Sequence, residues 1–218
     1  TKMADLHFVA DNNFKKRVIQ LGENPKKIFN VGSLGVDALN EIKFQTRKRI
    51  YQLYKIPNKK DYLIISLHPE TTNKNNKHLI TNLLKALENN PQYFYIFTYP
   101  NSDTDSECIL KSIKLFIKKN KSSTLIKSAG RTDYLSLVKY SNALIGNSSS
   151  GLVEAPALNI PSLNIGNRQS GRPTANSVLS CDGTTKEISK ALKNIYKVKR
   201  NKIVSYKGKN KIKNILKI

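Results

Sequence analysis

The sequence contains no tryptophan, one methionine and only two cysteines in 218 residues. Cys108 and Cys181 are too few and too far apart for a disulfide framework or a zinc cluster, so no metal and no redox chemistry is implied. No apolar run approaches the roughly 20 residues that a bilayer span needs. The opening TKMADLHFVA also lacks the charged-then-apolar layout of a secretory leader. The expectation is a cytoplasmic protein without a membrane partner. Acidic residues are scarce as well, with 15 Asp and Glu against 38 Lys and Arg and a formal net charge of +23. In isolation that excess points to an anionic partner such as nucleic acid. It is spread along the chain, however, and no motif with base-stacking aromatics at the required spacing accompanies it. No nucleic-acid partner is expected.

What is present is enough apolar material, 39% of residues, to bury a proper core. Short apolar runs bounded by Gly, Pro, Asn or Ser recur at Leu6 to Ala10, Ile28 to Gly32, Tyr62 to His68, Tyr93 to Tyr99, Thr124 to Ser128, Ala143 to Gly146 and Ser162 to Gly166. They read as buried strands. Between them, segments opening at Asn76, Asp105 and Arg131 carry a period near 3.6 residues and read as helices. This alternation predicts an α/β fold, a parallel sheet with helices on both faces. With no internal repeat and no visible linker, the expected layout is one domain over 1–195 and a basic extension over 196–218. The extension alternates basic and apolar residues at near-helical spacing. It reads as a solvated helix face or a membrane-surface segment, the former favoured.

In such folds ligands bind beyond the carboxyl ends of the strands. The loops there are GSLG at Gly32 to Gly35, SLHPETT at Ser66 to Thr72, YPNSDTD at Tyr99 to Asp105, KSAGR at Lys127 to Arg131, GNSSSG at Gly146 to Gly151 and GNRQSGR at Gly166 to Arg172. The triple serine has two readings. It can be a surface turn that caps a helix, or an anion site in which hydroxyls and free N–H groups at a helix start hold phosphate.

The phrases HFVADNNFKKRVIQLGENPKKIFNVGSLGVDAL, HPETT, YPNSDTD, GNSSSGLVEAPALNIPSLNIGNRQSGR and ANSVLSC occur in an order that resembles the hydrolysing UDP-N-acetylglucosamine 2-epimerases of sialic and legionaminic acid synthesis. The likeness runs over about residues 1 to 195. It implies a Rossmann-like domain, the C-terminal domain of a GT-B-like two-domain enzyme whose N-terminal domain would be the missing partner. By the same resemblance the substrate is a UDP-sugar, no cofactor is needed, and the complete enzyme is a homo-oligomer. The implied reaction eliminates UDP across C1 and C2 of the sugar, then adds water to give the 2-epimer.

Residue by residue, the resemblance puts Ser148 and Ser149 on the diphosphate, with Gly151 allowing close approach, and so favours the anion reading. Glu154, one to two turns into the following helix, falls on the ribose hydroxyls. Arg168 falls on the phosphates, with Arg172 a weaker candidate; Ala129 presents its backbone to uracil, and Asn101 lies near the nucleotide. Gly32 and Ser33 are placed to approach the phosphates. His68 is assigned to catalysis, for proton transfer or for donation to a phosphate oxygen. None of Glu70, Asp103 or Asp105 substitutes for a base at C2, which the missing domain would supply. Two other readings stay open on the sequence alone: the donor domain of a GT-B glycosyltransferase and a basic nucleic-acid-binding protein.

Overall fold

The computed structural model describes residues 1–70, 75–198 and 215–217. The last two residues of HPETT and most of the basic extension therefore lie outside the described residues. The chain divides into two compact units, one formed by Thr1–Ile42 with Val204–Ile218 and the other by Lys43–Ile203.

In the first unit β1 (His7–Val9) and β2 (Ile28–Asn30) pair in parallel and are joined by helix α1 (Asn12–Gln20). Asp11 caps α1 by accepting the Asn13 N–H at 2.7 Å. A four-residue helix, α2 (Leu34–Asp37), follows with Ser33 as its cap. The sequence places these two strands in the same sheet and the same 1–195 domain as the rest. Among the described residues β1 and β2 form a two-stranded ladder of their own, apart from the ladder of the later strands.

The second unit begins with α3 (Arg47–Leu53) and then alternates β3 (Tyr62–Ser66), α4 (Asn76–Glu88), β4 (Phe94–Thr98), α5 (Ser106–Lys119), β5 (Ser123–Ile126), α6 (Gly130–Tyr140) and β6 (Ala143–Gly146). After β6 come a 3-10 turn (Ser149–Gly151), α7 (Glu154–Ala157), β7 (Ser162–Ile165), β8 (Val178–Cys181) and α8 (Thr185–Asn194). Six strands form one sheet in the order β5-β4-β3-β6-β7-β8, every neighbouring pair parallel. This is a Rossmann-like doubly wound sheet.

Period-two alternation along the strands feeds two cores. Leu63, Ile65, Tyr95 and Phe97 face α4, α5 and α8, whereas Tyr62, Ile64, Phe94 and Ile96 face α3 and α6. Because both faces are covered, the strands read as continuous apolar runs rather than as half-polar ones. Each fully buried Ile or Leu there stabilises the fold by roughly 1.5–3 kcal/mol.

Three elements depart from the sequence reading. β8 and α8 were not anticipated, since β8 is a short edge strand with half-buried and exposed positions and so lacks a strong apolar signal. The helix expected after the triple serine is broken into a three-residue 3-10 turn and the four-residue α7. Among the described residues no helix is long and apolar enough to cross a membrane.

Candidate functional site

The chain runs outward from β3 to β5, then returns to place β6 on the other side of β3, so the strand order reverses between β3 and β6. At such a point the loops leave in opposite directions and open a crevice at the carboxyl edge. The two strands stay paired up to Ser66 opposite Gly146. Gly146 has φ +136°, and a Cβ there would stand 2.0 Å from Ser66 O, so only glycine lets the two backbones approach this closely.

Immediately beyond the pair, fully buried Asn147 ties the rim together. Its N–H donates to Ser66 O at 3.1 Å. Its side chain grips the backbone of His68 from both sides, Oδ1 accepting the His68 N–H at 2.7 Å and Nδ2 donating to His68 O at 2.8 Å. Its carbonyl accepts from Arg168 Nη1 at 3.2 Å and from Gln169 Nε2 at 2.8 Å. One residue thus fixes the loops after β3, β6 and β7 relative to each other.

The His68 ring is oriented by a second set of bonds. Nδ1 accepts the Asn101 N–H at 3.0 Å, which in the neutral ring leaves the proton on Nε2. Nε2 lies 3.4 Å from Ser66 Oγ, itself an acceptor from Thr98 Oγ1 at 3.0 Å. Burial holds the His68 pKa below its ordinary 6.5, and the Arg168 charge pushes the same way against Asp103 and the Asn101 side chain. The ring is a neutral Nε2–H donor at pH 7, suited to an anionic oxygen. Asn101 is itself fixed by its side chain, whose Nδ2 donates to Asp103 Oδ2.

On the β6 side, Ser148 is half-buried and Ser149 exposed at the opening of the 3-10 turn. Ser148 Oγ accepts the Ser150 N–H at 3.4 Å, so it is a cap as well as a candidate phosphate contact. Segments this short carry little macrodipole. The anion-holding capacity therefore resides in individual hydroxyl and N–H donors rather than in the long helix that the sequence predicts. For the same reason Glu154 is the first residue of α7, not one to two turns into a helix. Half-buried Glu154 lies near Tyr134, whose hydroxyl is pushed up to about 12 chiefly by burial, with Ser150 opposing and the Glu154 charge adding. Ala129 opens α6 and, having no side-chain acceptor, leaves the first turn without a cap of its own. Its methyl packs on the core cluster that α3 and α6 share.

His68, Asn101 and Arg168 thus belong to one bonded network, with Ser148, Ser149 and Glu154 on the adjoining loop. Arg172 is exposed and lines a polar cavity of about 290 Å³ together with Asn164, Asn167, Gln169 and Asp182. Gly32 and Ser33 belong to the other unit. The sequence reading missed Asn147 and Gln169 as rim organisers, although both lie inside the loops it singled out. It also missed the role of Glu70, a buried residue whose Oε1 accepts the backbone N–H of Asn167 at 2.9 Å and of Arg168 at 3.2 Å. Among the described residues no group of three or more His, Cys, Asp or Glu side chains is placed to hold a metal.

Comparison with known proteins identifies the family and the fold. Polysialic acid biosynthesis protein P7 of Escherichia coli is 40% identical over 181 residues, covering 82% of this chain and 46% of that protein. The GDP/UDP-N,N'-diacetylbacillosamine 2-epimerase (hydrolyzing) of Campylobacter jejuni is 36% identical over 184 residues, 84% of this chain and 48% of that protein. This chain therefore spans about half the length of these curated relatives. The crystal structure of the Methanocaldococcus jannaschii UDP-GlcNAc 2-epimerase in complex with UDP-GlcNAc and UDP shares the fold, with a TM-score of 0.79 at 20% identity over 99% of this chain and 61% of that one. The family model described as UDP-N-acetylglucosamine 2-epimerase matches residues 1–218. The chain belongs to the UDP-N-acetylglucosamine 2-epimerase family.

Proposed function

We propose that this chain is the nucleotide-binding half of a hydrolysing UDP-2-acetamido-sugar 2-epimerase. In that reaction a base removes the C2 proton and the C1–O bond breaks with its electron pair leaving on UDP. Water then adds its oxygen to C1 while a proton returns to C2 from the opposite face, giving the epimeric free sugar. The observation that carries the reading is the rim at the β3/β6 crossing, where a neutral Nε2–H imidazole, an exposed guanidinium and a serine turn converge from three loops. Those groups suit a leaving diphosphate, whose developing charge is stabilised by fixed donors. Glu154 serves the ribose diol, the backbone at Ala129 the uracil, and Asn101 holds His68 in place beside the nucleotide. The relatives' names, which include a hydrolysing 2-epimerase, support the same reading.

The C2 base is the part this half does not offer. Glu70 is occupied by the Asn167 and Arg168 N–H groups, and Asp103 by Asn101. Catalysis then requires carboxylates from the remainder of a complete enzyme.

Calorimetry tests the assignment directly. UDP is expected to bind more tightly than AMP or inorganic phosphate, and Arg168→Ala to weaken UDP by about 1.5–3 kcal/mol, the range for hydrogen bonds to charged groups. Equal binding of all three ligands, unchanged by the substitution, refutes it.

A further inference from the structure

We propose that Glu70 is a positioning residue for the diphosphate grip, setting the loop that carries Arg168; the inference rests on the UDP reading above. Glu70 is 4% exposed, and one carboxylate oxygen takes two consecutive backbone N–H groups, those of Asn167 and Arg168. A buried carboxylate is costly unless such donors satisfy it, so the bonds define one position for the loop. The turn is also pressed onto that oxygen. Gly166 has φ +75°, and a Cβ there would lie 2.4 Å from Glu70 Oε1.

The other end of Glu70 is equally fixed. Its N–H donates to Asn76 Oδ1 at 2.8 Å, and Asn76 Nδ2 donates to Glu70 O at 3.2 Å and to Asp105 Oδ2 at 3.1 Å. Asn76 is the first residue of α4 and 3% exposed, so the anchor is part of the scaffold rather than of a surface loop. Glu70 also stands two residues beyond His68 in the same loop. The chain therefore builds one frame with two arms. Asn147 sets His68 and receives Arg168 Nη1, while Glu70 sets the backbone from which the Arg168 side chain departs. Moving that backbone displaces the guanidinium without touching any group that meets uridine.

The test compares UDP with uridine, which lacks the diphosphate, by calorimetry on the 218-residue chain. Glu70→Leu is expected to weaken UDP roughly tenfold while changing uridine less than about twofold, and Glu70→Gln, which keeps a carbonyl acceptor, to stay within about threefold of the parent for both. In an Arg168→Ala background Glu70→Leu should add less than about twofold, because the two changes act through one contact. If Glu70→Leu does not fold, Gly166→Ala approaches the same contact from the loop side and should also weaken UDP selectively. Folded Glu70→Leu or Gly166→Ala with parental UDP affinity overturns the inference and leaves the UDP reading standing. So does an equal loss for UDP and uridine, which marks general damage. A parent chain that binds no UDP overturns both.

Discussion

At the scale of single residues, the titration of His68 is the most informative property. The Asn101 N–H on Nδ1 selects the Nε2–H tautomer, and burial with the Arg168 charge keeps the ring neutral. A histidine whose folded pKa lies below its unfolded value of about 6.5 binds fewer protons folded than unfolded. Its contribution to stability is therefore complete above pH 6.5 and is lost as the pH falls from there toward the folded pKa. Imidazole NMR at pH 7 should show the Nε2–H form, with a midpoint below 6.5. Arg168→Ala should raise that midpoint without restoring it fully, because burial is the larger cause, and Asp103→Asn should lower it. A midpoint that ignores both substitutions would remove Arg168 and Asp103 from the surroundings of the ring. The loops that carry His68, Asn101, Ser148 and Arg168 were readable in sequence because ligands gather beyond the carboxyl ends of parallel strands, whereas the role given to each residue came from the family resemblance. The roles of Asn147 and Glu70 were not legible, because they lie in bonds to the backbone of loops distant in sequence, and residue type alone does not reveal such bonds.

At the scale of elements, full burial makes a strand legible, although β5, without a wholly buried position, was also read from its apolar residues. β3, β4, β6 and β7 are almost wholly buried and announce themselves as apolar runs. β8 is a half-buried edge and passes unnoticed. The split between the 3-10 turn and α7 was equally hidden. Its signals are the buried Gly151, where a Cβ would come 3.3 Å from Leu144 Cδ2, and Pro156, which belongs to a first helical turn. The β3/β6 pair makes the element-scale prediction. Gly146→Ala places a methyl in the Ser66 carbonyl and forces an L residue to φ +136°. The two strands must separate where the crevice begins. Thermal or denaturant unfolding should show a loss of at least about 2 kcal/mol, above what a typical surface substitution costs, and UDP binding should fall with it. Parental stability for Gly146→Ala would mean that the strands are not in this register.

At the scale of the whole molecule, the sequence reading recognised the alternating α/β architecture, and the contacts of the chain group Thr1–Ile42 apart from Lys43–Ile203. The GSLG loop after β2 resembles the other strand-end loops, and strand pairing across the chain cannot be read from local pattern. Among the described residues the first unit is thinly covered. It is a two-stranded parallel sheet, whereas parallel sheets are ordinarily covered on both faces. Its helix α1 buries no residue, and Leu6 and Phe8 are 42% and 41% exposed. The central proposal is that this chain holds the leaving nucleotide and that, among its described residues, none is placed to move the C2 proton. The most direct test incubates the purified chain with UDP-N-acetylglucosamine and follows bound UDP-sugar together with released UDP and free sugar. The account predicts saturable binding, competed by UDP, with no release above the uncatalysed background. Turnover by the chain alone at about 1 per second, an ordinary enzymatic rate, would contradict it.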